Sequence, residues 1–320
     1  MSQHWETMKE AGALTGMRIM VFIYSVFGRA VFNVVLVPVM AYFFIRRGNA
    51  RRASMEFLRK VKRSYPERLH SQPLVWLSFR HFLTFGHSLL DKYIVWAQKT
   101  TDISIDPVER KMLFDQLESG EGCLLIGSHF GNLEYSRGIS IHYPELVINV
   151  LMHDQHAEKF SSLMKEAGAG SRMNLIQVTD IDFELALVLK EKVGRGEWVV
   201  IAGDRVPVGE NKRVCSVTFF GEKADFPVGP YVLASLLHCP VYLMHCFYSD
   251  KQYHVGLEFF GNELKFSRKN RQQAYEDAAQ KFARALEKQV AGLPLQWFNF
   301  FDFWNTDEDK KVNPDRLGQS

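Results

Sequence analysis

The chain has 320 residues, 39 basic and 36 acidic side chains, a formal net charge of +3 and 47% hydrophobic residues. A mean hydropathy of -0.14 excludes a polytopic membrane protein, and so small a net charge gives no case for nucleic-acid binding. Cys123, Cys215, Cys239 and Cys246 form no CxxC pair and no disulfide-framework spacing, so they read as reduced thiols filling core space.

Residues 19–45 are apolar except for Arg29, Asn33 and a few small or hydroxyl residues. At about 1.5 Å per residue such a helix would cross a hydrocarbon core of about 30 Å. Lys9 and Arg18 precede it and no small-residue cleavage site is found, so an uncleaved anchor is favoured over a signal peptide. A charge at Arg29, near mid-span, costs about 2.5–3.5 kcal/mol on insertion scales. Two readings follow: a spanning helix with Arg29 tucked against protein, or a helix lying in one leaflet. Arg46, Arg47, Arg51, Arg52, Arg59, Lys60, Lys62 and Arg63 come next, opposed only by Glu56. This basic collar is expected to stay cytoplasmic, against anionic lipid.

Residues 73–99 carry aromatics and leucine at helical spacing and are expected to pack beside the anchor. Asp106-Pro107 opens a helix over 107–118 in the capping-plus-proline style. Residues 122–126 then read as a buried strand, 146–152 as a strand, 157–167 as a helix and 174–178 as a strand. A helix over 183–193 and a strand over 198–202 follow. This alternation predicts an α/β fold with a mostly parallel sheet flanked by helices. Residues 214–220, 241–248 and 253–260 look like added strands, the last two a hairpin across Ser249-Asp250-Lys251-Gln252. Pro227-Val228-Gly229-Pro230 starts a helix with Pro230 in its first turn. A final amphipathic helix carries Ala274, Ala278, Phe282, Leu286 and Val290 and stops near Gly292. The run 297–304 is apolar on both alternating faces and reads as a doubly buried strand, with an interfacial aromatic patch as the alternative.

The chemistry concentrates in Gly127-Ser128-His129-Phe130-Gly131-Asn132-Leu133-Glu134, a histidine and a carboxylate at a predicted strand-to-helix junction. Asn132 is expected to cap a helix whose first turn holds Glu134, or to orient the pair. His129 would sit on the exposed turn at the strand end, where α/β sheets place chemistry. A carboxylate one helical turn away would fix its tautomer, as in a general base acting on a hydroxyl or amine. The amides of residues 131–133, at the helix start, are expected to hold an oxyanion. Asp204 and Arg205 follow the 198–202 strand: Asp204 would assist His129 or hold Arg205, and Arg205 suits a phosphate or carboxylate. A local Asp–Arg pair is the plainer reading. His153-Asp154-Gln155-His156 has metal-ligand types but no third ligand at recognisable spacing, and reads as a solvated loop.

The His129-x4-Glu134 spacing, Gly203-Asp204-Arg205, Phe219-Phe220-Gly221 and Pro227-Val228-Gly229-Pro230 appear in that order behind a hydrophobic N-terminus. Together they resemble the bacterial lauroyl/myristoyl (late lipid A) branch of the glycerolipid acyltransferases, over nearly the whole chain. The resemblance implies a glycerolipid-acyltransferase-like α/β fold with an N-terminal membrane-associated helix. It divides the chain into an anchor and collar (1–64) and a catalytic domain (65–320). It implies acyl transfer from a thioester, on acyl carrier protein more than coenzyme A, to a lipid or glycolipid at the cytoplasmic face of a bacterial inner membrane, with no metal or redox cofactor. His129 and Glu134 would be catalytic. Asp204, Arg205, Asn132 and, by approximate position, Arg172 would bind substrate. Gly-Asp-Arg stands where glycerol-phosphate acyltransferases carry a Pro-Glu-Gly-containing block, which argues against a simple glycerol-phosphate acceptor. The aromatic C-terminal run is closer to stand-alone relatives of aryl-polyene or similar lipid pathways. A thioesterase or a silent membrane scaffold are the competing functions.

Overall fold

The computed structural model describes residues 10–69, 72–96, 103–136, 143, 145–152, 173–178, 181–207 and 213–304. Three helices open it: α1 (Glu10–Arg46), α2 (Gly48–Ser64) and α3 (Leu74–Trp96). Helix α1 is broken at Gly28, whose φ of 77° leaves the helical region. Beyond the break, Phe32, Leu36 and Met40 pack on Phe82, Leu90 and Ile94 of α3. The helices approach so closely that a Cβ at Gly86 would lie 2.8 Å from the Leu36 side chain. The opposite face of α1 leaves Phe22, Val26, Phe27, Val34, Val37 and Ile45 exposed. Among the described residues, one helix, over Arg18–Arg46, is long and apolar enough to cross a membrane. Arg29 reaches α3, its Nη2 donating to Asp91 Oδ1 at 2.8 Å, while its side chain stays 48% exposed. Tyr253 donates its hydroxyl to the other Asp91 oxygen at 2.7 Å.

The collar helix α2 is not merely a solvated basic face. Phe57, Leu58 and Val61 belong to the main core. Lys60 is buried and ion-paired with Glu222, which Arg63 also contacts.

The remaining elements are β1 (Ile103–Ser104), α4 (Pro107–Glu118), β2 (Leu124–Gly127), β3 (Ile148–Met152), β4 (Met173–Gln177), α5 (Phe183–Gly194), β5 (Trp198–Ala202), β6 (Val214–Phe219), β7 (Glu222–Pro227), α6 (Gly229–Leu237), β8 (Val241–Ser249), β9 (Gln252–Gly261) and α7 (Arg271–Gly292). Seven strands form one sheet in the order β1-β9-β8-β2-β5-β3-β4. The pairs from β8 across to β4 are parallel, and β9 runs antiparallel to β8, so the sheet is mixed and mostly parallel. Alternate residues of β2 face opposite cores: Leu124 and Ile126 join the cluster with α7, and Leu125 joins that with α4. That is why the strand is a continuous apolar run. Asp106 caps α4 by accepting from Val108 N at 2.9 Å, with Pro107 in the first turn. All four cysteines are buried.

Three expectations change. Strand β7 forms a separate hairpin with β6. Charges at Glu222, Lys223 and Asp225 and the closing Pro227 hid it, because only one of its faces is covered. The run 297–304 is not a strand: its described pairing is one bridge, Phe130 to Trp297. It is nonetheless mostly buried, with Phe301 left 43% exposed. The helix expected after Asn132 is, within the described residues, a 3-10 turn over Leu133–Ser136. The predicted 157–167 helix lies outside the described residues.

Candidate active site

Strands β2 and β5 are parallel neighbours with Gly127 opposite Ala202. Two residues beyond each strand end come His129 and Asp204, so the register itself brings them face to face. Gly203 continues the ladder by donating to Gly127 O at 2.8 Å. His129 Nδ1 lies 2.8 Å from Asp204 Oδ1, and the His129 amide donates to Asp204 Oδ2 at 2.9 Å. A third donor, Trp297 Nε1, reaches Oδ2 at 3.0 Å. Asp204 is 1% exposed, whereas the His129 side chain keeps 36% of its surface open.

The carboxylate on Nδ1 is therefore Asp204 and not Glu134. A carboxylate acceptor there requires a proton on Nδ1, which leaves Nε2 basic. Burial alone would push the Asp204 carboxyl up, but the His129 ring, its hydrogen bonds and the Arg205 charge bring it down to about 2. His129 is lowered, first by burial and then by the Arg205 charge, with Lys92 adding to this and Asp204 opposing it. The ring is thus neutral near pH 7, ready to accept a proton. Lys92 of α3 is itself lowered by burial, with the Glu134 charge opposing that and Arg205 reinforcing it.

The turn is built by strand-like contacts. Gly131 has φ +70°, and a Cβ there would meet Cys246 O at 1.8 Å. Gly131 N donates to Gln296 O and Asn132 N to Cys246 O, both at 2.7 Å. These two amides are spent on the fold, which removes them from the expected oxyanion site. Asn132 is buried; its Nδ2 reaches Ser88 O at 3.4 Å and its Oδ1 has no hydrogen-bond partner. The side chain is directed to α3 and does not serve as a helix cap. Arg205 Nη2 donates to Phe298 O at 2.6 Å, and its guanidinium lies 5.6 Å from the Phe301 ring centre.

The structure thus brings His129, Asp204 and Arg205 together, with Glu134 one turn further along. Arg172 and the 153–156 cluster lie outside the described residues, and no group of metal-ligating side chains occurs among the described ones. Sequence reasoning missed Lys92 and Trp297. The signal for Lys92 was a charge beside Asp91 in the otherwise uncharged C-terminal half of α3. For Trp297 it was an indole N–H that burial obliges to find an acceptor.

The family model described as bacterial lipid A biosynthesis acyltransferase matches residues 19–306. No curated protein matches the chain. The family match spans most of the sequence, so the chain belongs to that family and is an acyltransferase.

Proposed function

From membership of that lipid acyltransferase family, we propose that the protein moves an acyl chain from a thioester to a hydroxyl or amine of a lipid or glycolipid acceptor. His129 is the general base, and the donor is acyl carrier protein in preference to coenzyme A. The observation that carries this reading is the 2.8 Å contact of His129 Nδ1 with the buried Asp204. Nε2 takes the acceptor proton as the acceptor atom attacks the thioester carbonyl carbon. The tetrahedral intermediate collapses, the C–S bond breaks, and the departing thiolate recovers the proton from Nε2. With the Gly131 and Asn132 amides engaged elsewhere, the charge of Lys92, whose protonated form the Glu134 charge favours, stabilises the oxyanion. Arg205, together with Arg172 by its place in the sequence, holds an anionic group of the acceptor, and Asn132 ties the catalytic turn to α3. The step balances without a metal or redox partner.

The exposed apolar face of α1 and the outward arginines of α2 would seat the enzyme on the cytoplasmic face of an inner membrane. On this reading the division at residue 64 is functional, because α2 shares the main core. The test uses the full chain, lauroyl-acyl carrier protein and a total lipid extract as acceptor, following acylated lipid and free fatty acid side by side. Transfer should vanish in His129→Ala at an unchanged melting temperature. Near-normal transfer in that variant would remove His129 as base. Free acid as the sole product of the wild type would point to a thioesterase instead.

A further inference from the structure

The Asp204 carboxylate is set by two donors on one oxygen, and one of them comes from far along the chain. His129 N and Trp297 Nε1 reach Oδ2 at 2.9 and 3.0 Å, which leaves Oδ1 facing Nδ1 at 2.8 Å. His129 by itself reaches both oxygens, and the Trp297 contact adds a donor from a separate element, which holds the carboxylate against movement together with the catalytic turn. Trp297 is fully buried, with the rings of Phe57 and Phe219 edge-on at 4.9 and 5.3 Å. Its neighbours are clipped to the catalytic turn on both sides: Gly131 N donates to Gln296 O at 2.7 Å, and Phe298 N donates to His129 O at 3.0 Å.

Packing is not all that holds the tryptophan. Its carbonyl oxygen lies 3.0 Å from His81 Nε2. His81 Nδ1 lies 3.0 Å from Ser54 Oγ, and Ser78 donates to that same oxygen at 2.8 Å. The donors run one way. Ser78 gives to Ser54, Ser54 gives to Nδ1, and the Nε2 proton goes to the Trp297 carbonyl. His81 is completely buried and held down to about 4, so the ring stays neutral in that tautomer. The ring also lies nearly flat against Phe300, 4.4 Å between centres.

We infer that Trp297 is a positioning residue, whose indole N–H sets the Asp204 carboxylate that aims His129, and that the Ser78–Ser54–His81 chain holds the indole in register. This deepens the reading of His129 as base and rests on it. The plainer account is that a buried indole took the nearest acceptor. The two differ in what happens to kcat when the N–H alone is lost: the charge of the carboxylate links the indole to the His129 titration on either account, but only a positioning role makes the aim of His129, and with it kcat, depend on the N–H.

The experiment places 3-benzothienyl-L-alanine at position 297 of the full chain, replacing the N–H with sulfur in a ring of the same shape. Trp297→Phe and His129→Ala are made in parallel. With lauroyl-acyl carrier protein and total lipid extract, kcat should fall about tenfold, as for loss of one charge-assisted hydrogen bond, with KM within about twofold if ground-state binding is untouched. A carboxylate short of one donor binds the imidazolium more tightly. The NMR titration of His129, and the acidic limb of kcat/KM, should therefore move to higher pH. Wild-type kcat, whether or not the His129 titration moves, would overturn the inference while leaving His129 as base. Full activity in His129→Ala would overturn the base itself. Should the substituted chains fold poorly, the wild type decides: the Trp297 indole N–H resonance should shift as His129 titrates, and one that does not move refutes the coupling.

Discussion

Replacing Asp204 by asparagine isolates the dyad with almost no change of shape. The wild-type carboxylate accepts three donors: the His129 ring N–H, the His129 amide and the Trp297 indole. An amide side chain has one oxygen. Two of the donors converge on Oδ2, so the amide oxygen takes that place and its NH₂ group faces Nδ1. Nδ1 must then accept, the ring proton moves to Nε2, and the nitrogen that should receive the acceptor proton already carries one. General-base assistance is worth about 10²–10⁴-fold, and the imidazolium formed in the step also loses its counter-charge. We expect Asp204→Asn to lower kcat by about 10³–10⁴, or about 4–5.5 kcal/mol of barrier. Glu134→Gln, which leaves Nδ1 alone, should lose at least tenfold less. Steady-state transfer and thermal melting of both variants decide the matter. If Asp204→Asn keeps more than a tenth of wild-type kcat while Glu134→Gln is inactive, the local pair, and not the cross-strand one, drives the reaction.

Gly131→Ala should cost at least about 3 kcal/mol through left-handed strain and overpacking, because a Cβ at 1.8 Å from the Cys246 carbonyl oxygen meets backbone that no rotamer can clear. A melting temperature within about 2 °C of wild type would show that the turn relaxes freely. His81 sets a pH dependence of stability. The folded ring titrates near about 4, while an unfolded histidine titrates near about 6.5, so between these values the unfolded chain binds the extra proton. Stability is full above about 6.5 and falls by up to about 3 kcal/mol as pH drops toward 4. His81→Gln, which does not titrate, should flatten that part of the melting curve, and an unchanged slope would assign it to other groups. Removing residues 1–27, up to the break at Gly28, should leave a folded enzyme with weakened sedimentation on anionic vesicles, since the packed half of α1 is retained. Undiminished sedimentation would move membrane binding to that half and α2.

What the sequence made legible was periodic or local. The alternation of apolar runs and helical spacings located β2, β5, α5, β8, β9 and the end of α7 within a residue or two, because burial on a sheet or helix face writes itself into a period. The same logic misled at Glu134. Its spacing from His129 suggests a facing pair only if an α-helix follows, and the chain makes a 3-10 turn there, with a different phase. The true partner is set by pairing between strands. Nothing in residues 124–127 or 198–202 states that Gly127 lies opposite Ala202, yet that register alone places Asp204 against the ring. Trp297 was harder still, 93 residues from the carboxylate it contacts. The run around it was read for its apolarity, and apolarity does bury it. Burial, though, accounts for the ring and leaves the N–H to be placed, and in this fold that one polar atom goes to the one carboxylate that holds His129. The indole N–H of an aromatic run is thus a question about which buried acceptor lacks a donor, and sequence periodicity has no term for it.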